Sequence, residues 1–255
     1  MPTESIGHIQ SAGCAGQSEA VTAAHNKCIR DLMGDIQVHR KKKSNLTFLT
    51  MEEEHTISTL WEQDGCSEIC SKEELWQAAK SDEMQIQLRG GDDVSGASEQ
   101  QYEERFWRRR LDGIALDSVG KKCYLIEFKR TRDRRHSYEE RAMKVARQQY
   151  KSLLSGLQAV GQQKGWKVEQ LVFVGGTCGS VNVETFNQNL KLLEVPEGKW
   201  SRLRQRMARR LLEEQDKVLR AYFAQKYDKT PTCVDGGGDA AGPKGLAHLS
   251  RDVYA

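Results

Sequence analysis

The segment LDGIALDSVGKKCYLIEFKRT, residues 111–131, contains the most informative structural pattern in the chain. Two β-rich segments, 112–117 and 122–131, stand on either side of the turn-forming SVGK at 118–121. Short strands joined by a tight turn are typical of an antiparallel hairpin. The sequence therefore predicts two adjacent strands here, and the remaining elements are placed around them.

The charged residues of this hairpin are expected to meet on one face. Residues two apart in a strand share a face, so Glu127 and Lys129 project together. If the turn closes symmetrically, Asp117 pairs with Lys122 and Asp112 lies opposite Glu127. Two facing carboxylates repel each other, and a divalent cation with substrate phosphate oxygens compensates that repulsion. Asp112 and Glu127 are the predicted ligands of Mg²⁺ or Mn²⁺, and an exposed salt-bridge face is the alternative.

Helical and strand patterns surround the hairpin. Helices are predicted over 98–110, 137–158 and 201–226, and a capping-box pattern begins the second of them. An apolar run over 169–174 indicates a buried strand. The order is α-β-β-α-β, with one more short strand expected before Asp112 or around 191–194. This alternation favours an α/β fold.

The rest of the chain divides by composition. Residues 1–17 are predicted to be disordered, 18–89 to form an acidic helical region, 90–98 a linker, 99–229 the core with a long C-terminal helix, and 230–255 a disordered tail. Within the acidic region, helices are predicted over 19–37, over 51–61 and from residue 71 onward.

Charge is distributed unevenly along the 255 residues. The chain has a formal net charge of +3, with 39 basic and 36 acidic side chains. Residues 1–100 have 9 basic and 17 acidic side chains, whereas residues 101–155 have 15 and 8. A dense basic block suits a polyanionic partner, because neutralised phosphates provide most non-specific affinity for nucleic acid. The other interpretation is a solvated basic helix face.

The hairpin residues resemble a known signature. LDGIALD followed by LIEFKR is similar to the D…(D/E)xK motif of the PD-(D/E)xK, or restriction-endonuclease-like, nuclease superfamily, and the resemblance covers about residues 99–176. It implies an αβββαβ core and Mg²⁺-dependent cleavage of DNA phosphodiesters. By position, Asp112 corresponds to the first acid, and Glu127 and Lys129 to the (D/E)xK. The run from EERFW to FKRT is also similar to nuclease-like domains of eukaryotic mobile elements.

The same resemblance implies accessory catalytic residues. An acid on the preceding helix corresponds to Glu104 or Glu103, with Glu104 preferred, and a polar residue on the following helix to Gln148 or Gln149, with Gln148 preferred. Leu111 departs from the motif, which has proline before the first acid.

Basic residues flank the predicted site on both sides in sequence, where they could bind the phosphate backbone. The candidates are Arg108, Arg109, Arg110, Arg130, Arg132, Arg134, Arg135, Lys144 and Arg147. The resulting expectation is a metal-dependent DNA endonuclease. An inactive nucleic-acid-binding module with the nuclease fold is the first alternative, and an interaction domain that uses its acidic N-terminal region is the second.

No apolar run approaches the ~18 residues that a membrane span requires, and the first residues lack the basic and apolar segments of an export signal. The seven cysteines are odd in number and irregularly spaced, which favours reduced thiols. The sequence thus predicts a protein without a membrane partner in an intracellular location, of which the nucleus is one option.

Overall fold

Four strands and eight α-helices form the part of the chain that the computed structural model describes, residues 18–50, 56–62, 66–89, 98–133 and 137–227. The strands are β1 (Leu46–Thr50), β2 (Gly113–Asp117), β3 (Lys122–Thr131) and β4 (Lys167–Gly176). The helices are α1 (Ser18–His39), α2 (Ile57–Glu62), α3 (Lys72–Arg89), α4 (Glu99–Trp107), α5 (Tyr138–Gln149), α6 (Lys151–Gln163), α7 (Val183–Leu192) and α8 (Glu197–Tyr227), with a 3₁₀ turn at Cys66–Glu68. The chain is therefore an α/β protein, as predicted. Both segments expected to be disordered, 1–17 and 230–255, lie outside the described residues, as does most of the expected linker.

The strands form one mixed sheet in the order β1-β2-β3-β4. The first two neighbouring pairs are antiparallel and β3 pairs with β4 in parallel. In the β2–β3 hairpin Asp117 pairs with Lys122, which confirms the register predicted from the turn, and the ladder continues to Gly113 opposite Ile126. Asp112 and Glu127 directly follow this last pair.

Strand β1 brings the N-terminal region into the sheet. Its residues pair with β2 from Leu46 opposite Asp117 to Thr50 opposite Gly113. One of the two expected options was an additional strand before Asp112, but β1 lies within residues 18–89, which were predicted to be helical, so that prediction is wrong at β1. Residues 191–194, the other option, form the end of α7 and a turn in which Glu194 has φ 59°. Residues 18–50 therefore share a sheet with the centre of the chain.

Helices cover both faces of the sheet. Ile114 and Leu125 point into a core formed with α2, α3, α4 and α6. Ala115, Ile126 and Phe128 point into a second core formed with α1, α7 and α8. Because successive side chains of a strand alternate between the two faces, β3 is apolar on both sides, and Glu127 lies on a covered face.

The helix predicted over 137–158 is interrupted at Tyr150, where α5 ends and α6 begins. Tyr150 has φ −112° and ψ 17° and is 1% exposed. Its hydroxyl donates a hydrogen bond to the carbonyl oxygen of Arg110, just before β2. This tertiary contact has no signal in the local sequence, which contains neither glycine nor proline at the break.

Candidate active site

Asp112 lies immediately before β2 with its carboxylate fixed by two contacts. The backbone N–H of Phe128 donates to Asp112 Oδ2 at 2.6 Å, and His25 Nε2 lies 3.1 Å from Asp112 Oδ1. The first contact ties the carboxylate to the middle of β3, one residue from Glu127. The two acids of the predicted pair are therefore neighbours.

Glu127 is 3% exposed, so the alternative of an exposed salt-bridge face does not describe it. Its Oε1 lies 2.5 Å from Lys129 Nζ, while its Oε2 is buried with no hydrogen-bond partner in the described part of the chain. Burial is the main cause that raises the pKa of Glu127 to about 7, and the negative charge of Asp112 adds to the rise, against the opposing effect of Lys129. The structure thus brings Asp112, Glu127 and Lys129 together.

Lys129 is held from two sides. Besides Glu127, its ammonium donates to Gln149 Oε1 at 2.8 Å, and Gln149 Nε2 lies 3.1 Å from the hydroxyl of Tyr150. That hydroxyl in turn donates to the carbonyl oxygen of Arg110. A chain of hydrogen bonds therefore connects the lysine to the end of α5 and to the segment that precedes Asp112.

His25 is a site residue that the sequence reasoning did not assign. It comes from α1, contacts Asp112, and its ring centroid lies 5.5 Å from that of Phe128. The only signal in the sequence is its position on the apolar stripe of α1, four residues after Val21 and three before Cys28. Nothing local shows that this stripe ends beside β3.

The two preferred accessory residues do not contact the acidic pair. Glu104 is exposed and interacts within its own helix, at 3.5 Å from Gln100 Nε2 and 3.9 Å from Arg108. Gln148 is exposed in a shallow groove on α5, and its neighbour Gln149 contacts Lys129. The structure therefore favours Gln149 over Gln148 at this position.

Two of the candidate phosphate-binding arginines are engaged inside the protein. Arg109 forms an ion pair with the fully buried Glu83 and donates at 3.2 Å to Ser152 Oγ. Arg130 donates to Gln215 on α8, and burial lowers its pKa. Both guanidinium groups contact side chains of neighbouring helices, so they are not part of the surface available to nucleic acid.

The other candidates differ in accessibility. The exposed cations are Arg108, Arg110, Lys144 and Arg147, and the side chain of Arg108 is 80% exposed. Arg132 is partly buried, and Arg134 and Arg135 lie outside the described residues.

The donor set suits a hard cation with few protein ligands. Among the described residues, no group of three or more His, Cys, Asp or Glu side chains is arranged to hold a metal ion. The site offers two adjacent carboxylates, one with the unpartnered Oε2 of Glu127. Mg²⁺ commonly binds through one or two carboxylates and keeps water or phosphate oxygens as its other ligands, so Asp112 and Glu127 fit it.

Comparison of the chain with protein-family models, with curated proteins and with solved structures finds no match. In the described part of the chain, none of the helices combines the length and the apolar character needed to cross a membrane.

Proposed function

We propose that this protein is a Mg²⁺-dependent endonuclease that hydrolyses phosphodiester bonds in DNA. The observation that carries the proposal is that Glu127 is buried beside Asp112 and contacts Lys129. The register of the β2–β3 hairpin brings these three residues together. The element order supports it as well: when α2, α3 and α4 are treated as an insertion between β1 and β2, the order α1-β1-β2-β3-α5/α6-β4 is the αβββαβ order that the D…ExK resemblance implies.

Asp112 and Glu127 would hold the metal ion. The unpartnered Oε2 of Glu127 and the mutual repulsion of the two carboxylates support this assignment. When bound, Mg²⁺ neutralises these charges and offsets the charge that develops on a scissile phosphate.

The remaining groups orient the reaction. Lys129 has its ammonium fixed between Glu127 and Gln149, where it can position an attacking water and stabilise negative charge on the phosphate. His25 restricts the carboxylate of Asp112 to one orientation. The buried Tyr150 hydroxyl keeps Gln149 in place. A site that is organised before substrate arrives pays no reorganisation cost during the reaction.

The exposed face of α5 is the proposed contact for the phosphate backbone. Its groove is lined by Glu140, Met143, Lys144, Arg147, Gln148 and Lys151. One lining residue, Gln148, directly precedes Gln149 in the chain, and Gln149 contacts the catalytic lysine. Lysine and arginine contacts to phosphate position a substrate without reading its sequence, so the proposal includes no sequence preference.

Cleavage of supercoiled plasmid with Mg²⁺ or Mn²⁺ tests the proposal. The Asp112→Asn and Lys129→Met variants are expected to lower the rate by about 10²–10⁴-fold, the usual contribution of such groups. Gln149→Ala is expected to lower it as well, while the exposed Gln205→Ala on α8, outside both the site and the groove, serves as the matched control and keeps wild-type rates.

The competing outcomes are distinct. If pure wild-type protein cleaves no form of DNA yet binds it in a salt-sensitive manner, the chain is a binding module and the nuclease proposal is wrong. If Asp112→Asn retains full activity, cleavage comes from elsewhere or from a contaminant.

A further inference from the structure

Several lysines lie at the end of the sheet where β3 and β4 begin. The proposed catalytic site lies toward the opposite end, where these strands finish. The lysines lie in the loop before β1, in the β2–β3 turn and at the start of β4: Lys41, Lys42, Lys43, Lys121, Lys122, Lys164 and Lys167. A backbone hydrogen bond from Lys167 N to Lys121 O at 2.8 Å connects two of these segments, and the pairing of Leu46 with Asp117 places the loop before β1 near the β2–β3 turn. We call these seven residues the lysine end.

This charge is only partly neutralised. Lys164 pairs with Glu74 at 2.8 Å, and Lys167 pairs with Glu169. The other five lysines have no carboxylate partner in the part of the chain that the structure describes. Acids also lie at this end, since Asp117 is the cross-strand partner of Lys122 and Glu194 lies beside Lys41. The seven lysines outnumber these two acids together with Glu74 and Glu169, so this end keeps an excess of positive charge that an anionic ligand would neutralise.

The lysine end is separate from the proposed catalytic site. Lys122 precedes Glu127 by five residues in the same strand, which corresponds to about 17 Å at roughly 3.3 Å per residue. The Debye length at physiological ionic strength is about 8 Å. The lysines are therefore too distant to act on the carboxylates of the catalytic site.

We propose that the lysine end binds the phosphate backbone of a second segment of nucleic acid while the catalytic site holds the first. Ammonium groups act as point charges and suit phosphate binding without sequence recognition. Duplex DNA has a persistence length of about 50 nm. A duplex is therefore straight over the length of this protein, and one that is bound where β3 ends does not also reach the opposite end of the sheet. This inference rests on the proposed function, because the first nucleic-acid segment is the one bound at the catalytic site.

The test counts duplexes per chain. A duplex of about ten base pairs, one helical turn, is titrated onto the protein in EDTA at low salt, and native mass spectrometry measures the stoichiometry. Wild type is expected to bind two duplexes, and the triple variant Lys42→Gln, Lys43→Gln, Lys122→Gln is expected to bind one. Each phosphate contact that is lost lowers the slope of log affinity against log salt by about 0.9.

The control variant removes the same charge from cations that already pair with carboxylates, Lys80→Gln, Lys217→Gln and Arg220→Gln. It should still bind two duplexes. One duplex on the wild-type chain, or two on the lysine variant, would overturn the inference.

Plasmid cleavage separates this inference from the proposed function. Two duplexes on a wild-type protein that cleaves nothing support the lysine end and refute the nuclease. Cleavage by a wild-type protein that binds a single duplex supports the nuclease and refutes the lysine end.

Discussion

Replacing Glu127 by glutamine should stabilise the metal-free protein at alkaline pH. Burial and Asp112 raise the pKa of Glu127 from 4.5 to about 7, so the folded chain holds this proton more tightly than the unfolded chain does. The stabilisation from the bound proton is complete below pH 4.5 and is lost as the pH rises through 7. The pKa difference corresponds to about 3 kcal/mol at roughly 1.4 kcal/mol per pH unit.

Urea denaturation in EDTA at several pH values measures this effect. The free energy of unfolding of Glu127→Gln, relative to wild type, should increase by about 3 kcal/mol between acidic and alkaline pH. Mg²⁺ should then stabilise wild type at pH 8, by about 2.7 kcal/mol at a hundred times the dissociation constant. The variant, which lacks one carboxylate of the pair, should gain much less.

The exposed Glu68→Gln is the matched control and should track wild type at every pH. A Glu127→Gln difference that does not change with pH would refute the argument that Glu127 is a destabilised buried acid. Equal stabilisation of both proteins by Mg²⁺ would show that the metal binds elsewhere.

Two further predictions concern buried groups. Glu83→Ala should lower the free energy of unfolding, measured in urea, by about 3–5 kcal/mol, because it leaves the Arg109 guanidinium inside the protein without its carboxylate. The control Arg108→Ala, at an exposed position, should change that free energy by no more than about 0.5 kcal/mol. A similar loss of stability in both variants would contradict this prediction. Burial raises the pKa of the Cys66 thiol to about 12. At pH 8 a thiol reagent should therefore label the exposed Cys178 and leave Cys66 unlabelled until the protein unfolds, which peptide mass spectrometry measures. Labelling of Cys66 in the native protein would contradict its burial.

The β2–β3 hairpin and its register were predictable because the information is local. A four-residue turn and the two-residue period of strands determine which residues face each other, and they place Asp112 opposite Glu127 without reference to the rest of the chain. The α/β class follows from the same short-range patterns. The position of strand β1 was not predicted, because its partner β2 is distant in sequence.

The surroundings of the site depended on contacts between distant segments. Whether Gln148 or Gln149 reaches Lys129 depends on the break between α5 and α6, which a hydrogen bond from Tyr150 to Arg110 accompanies. Likewise, the sequence has no means to distinguish a surface arginine such as Arg108 from one that pairs with a buried acid on another helix.

The two carboxylates and the lysine that can face one another are predictable from the sequence, because strand period and turn length act over a few residues. The burial of Glu127, the contact of His25 in α1 with Asp112 and the ion pair of Arg109 with Glu83 are visible only in the folded chain. Burial and pKa depend on which helices cover the sheet. That covering is set by packing between residues far apart in the chain.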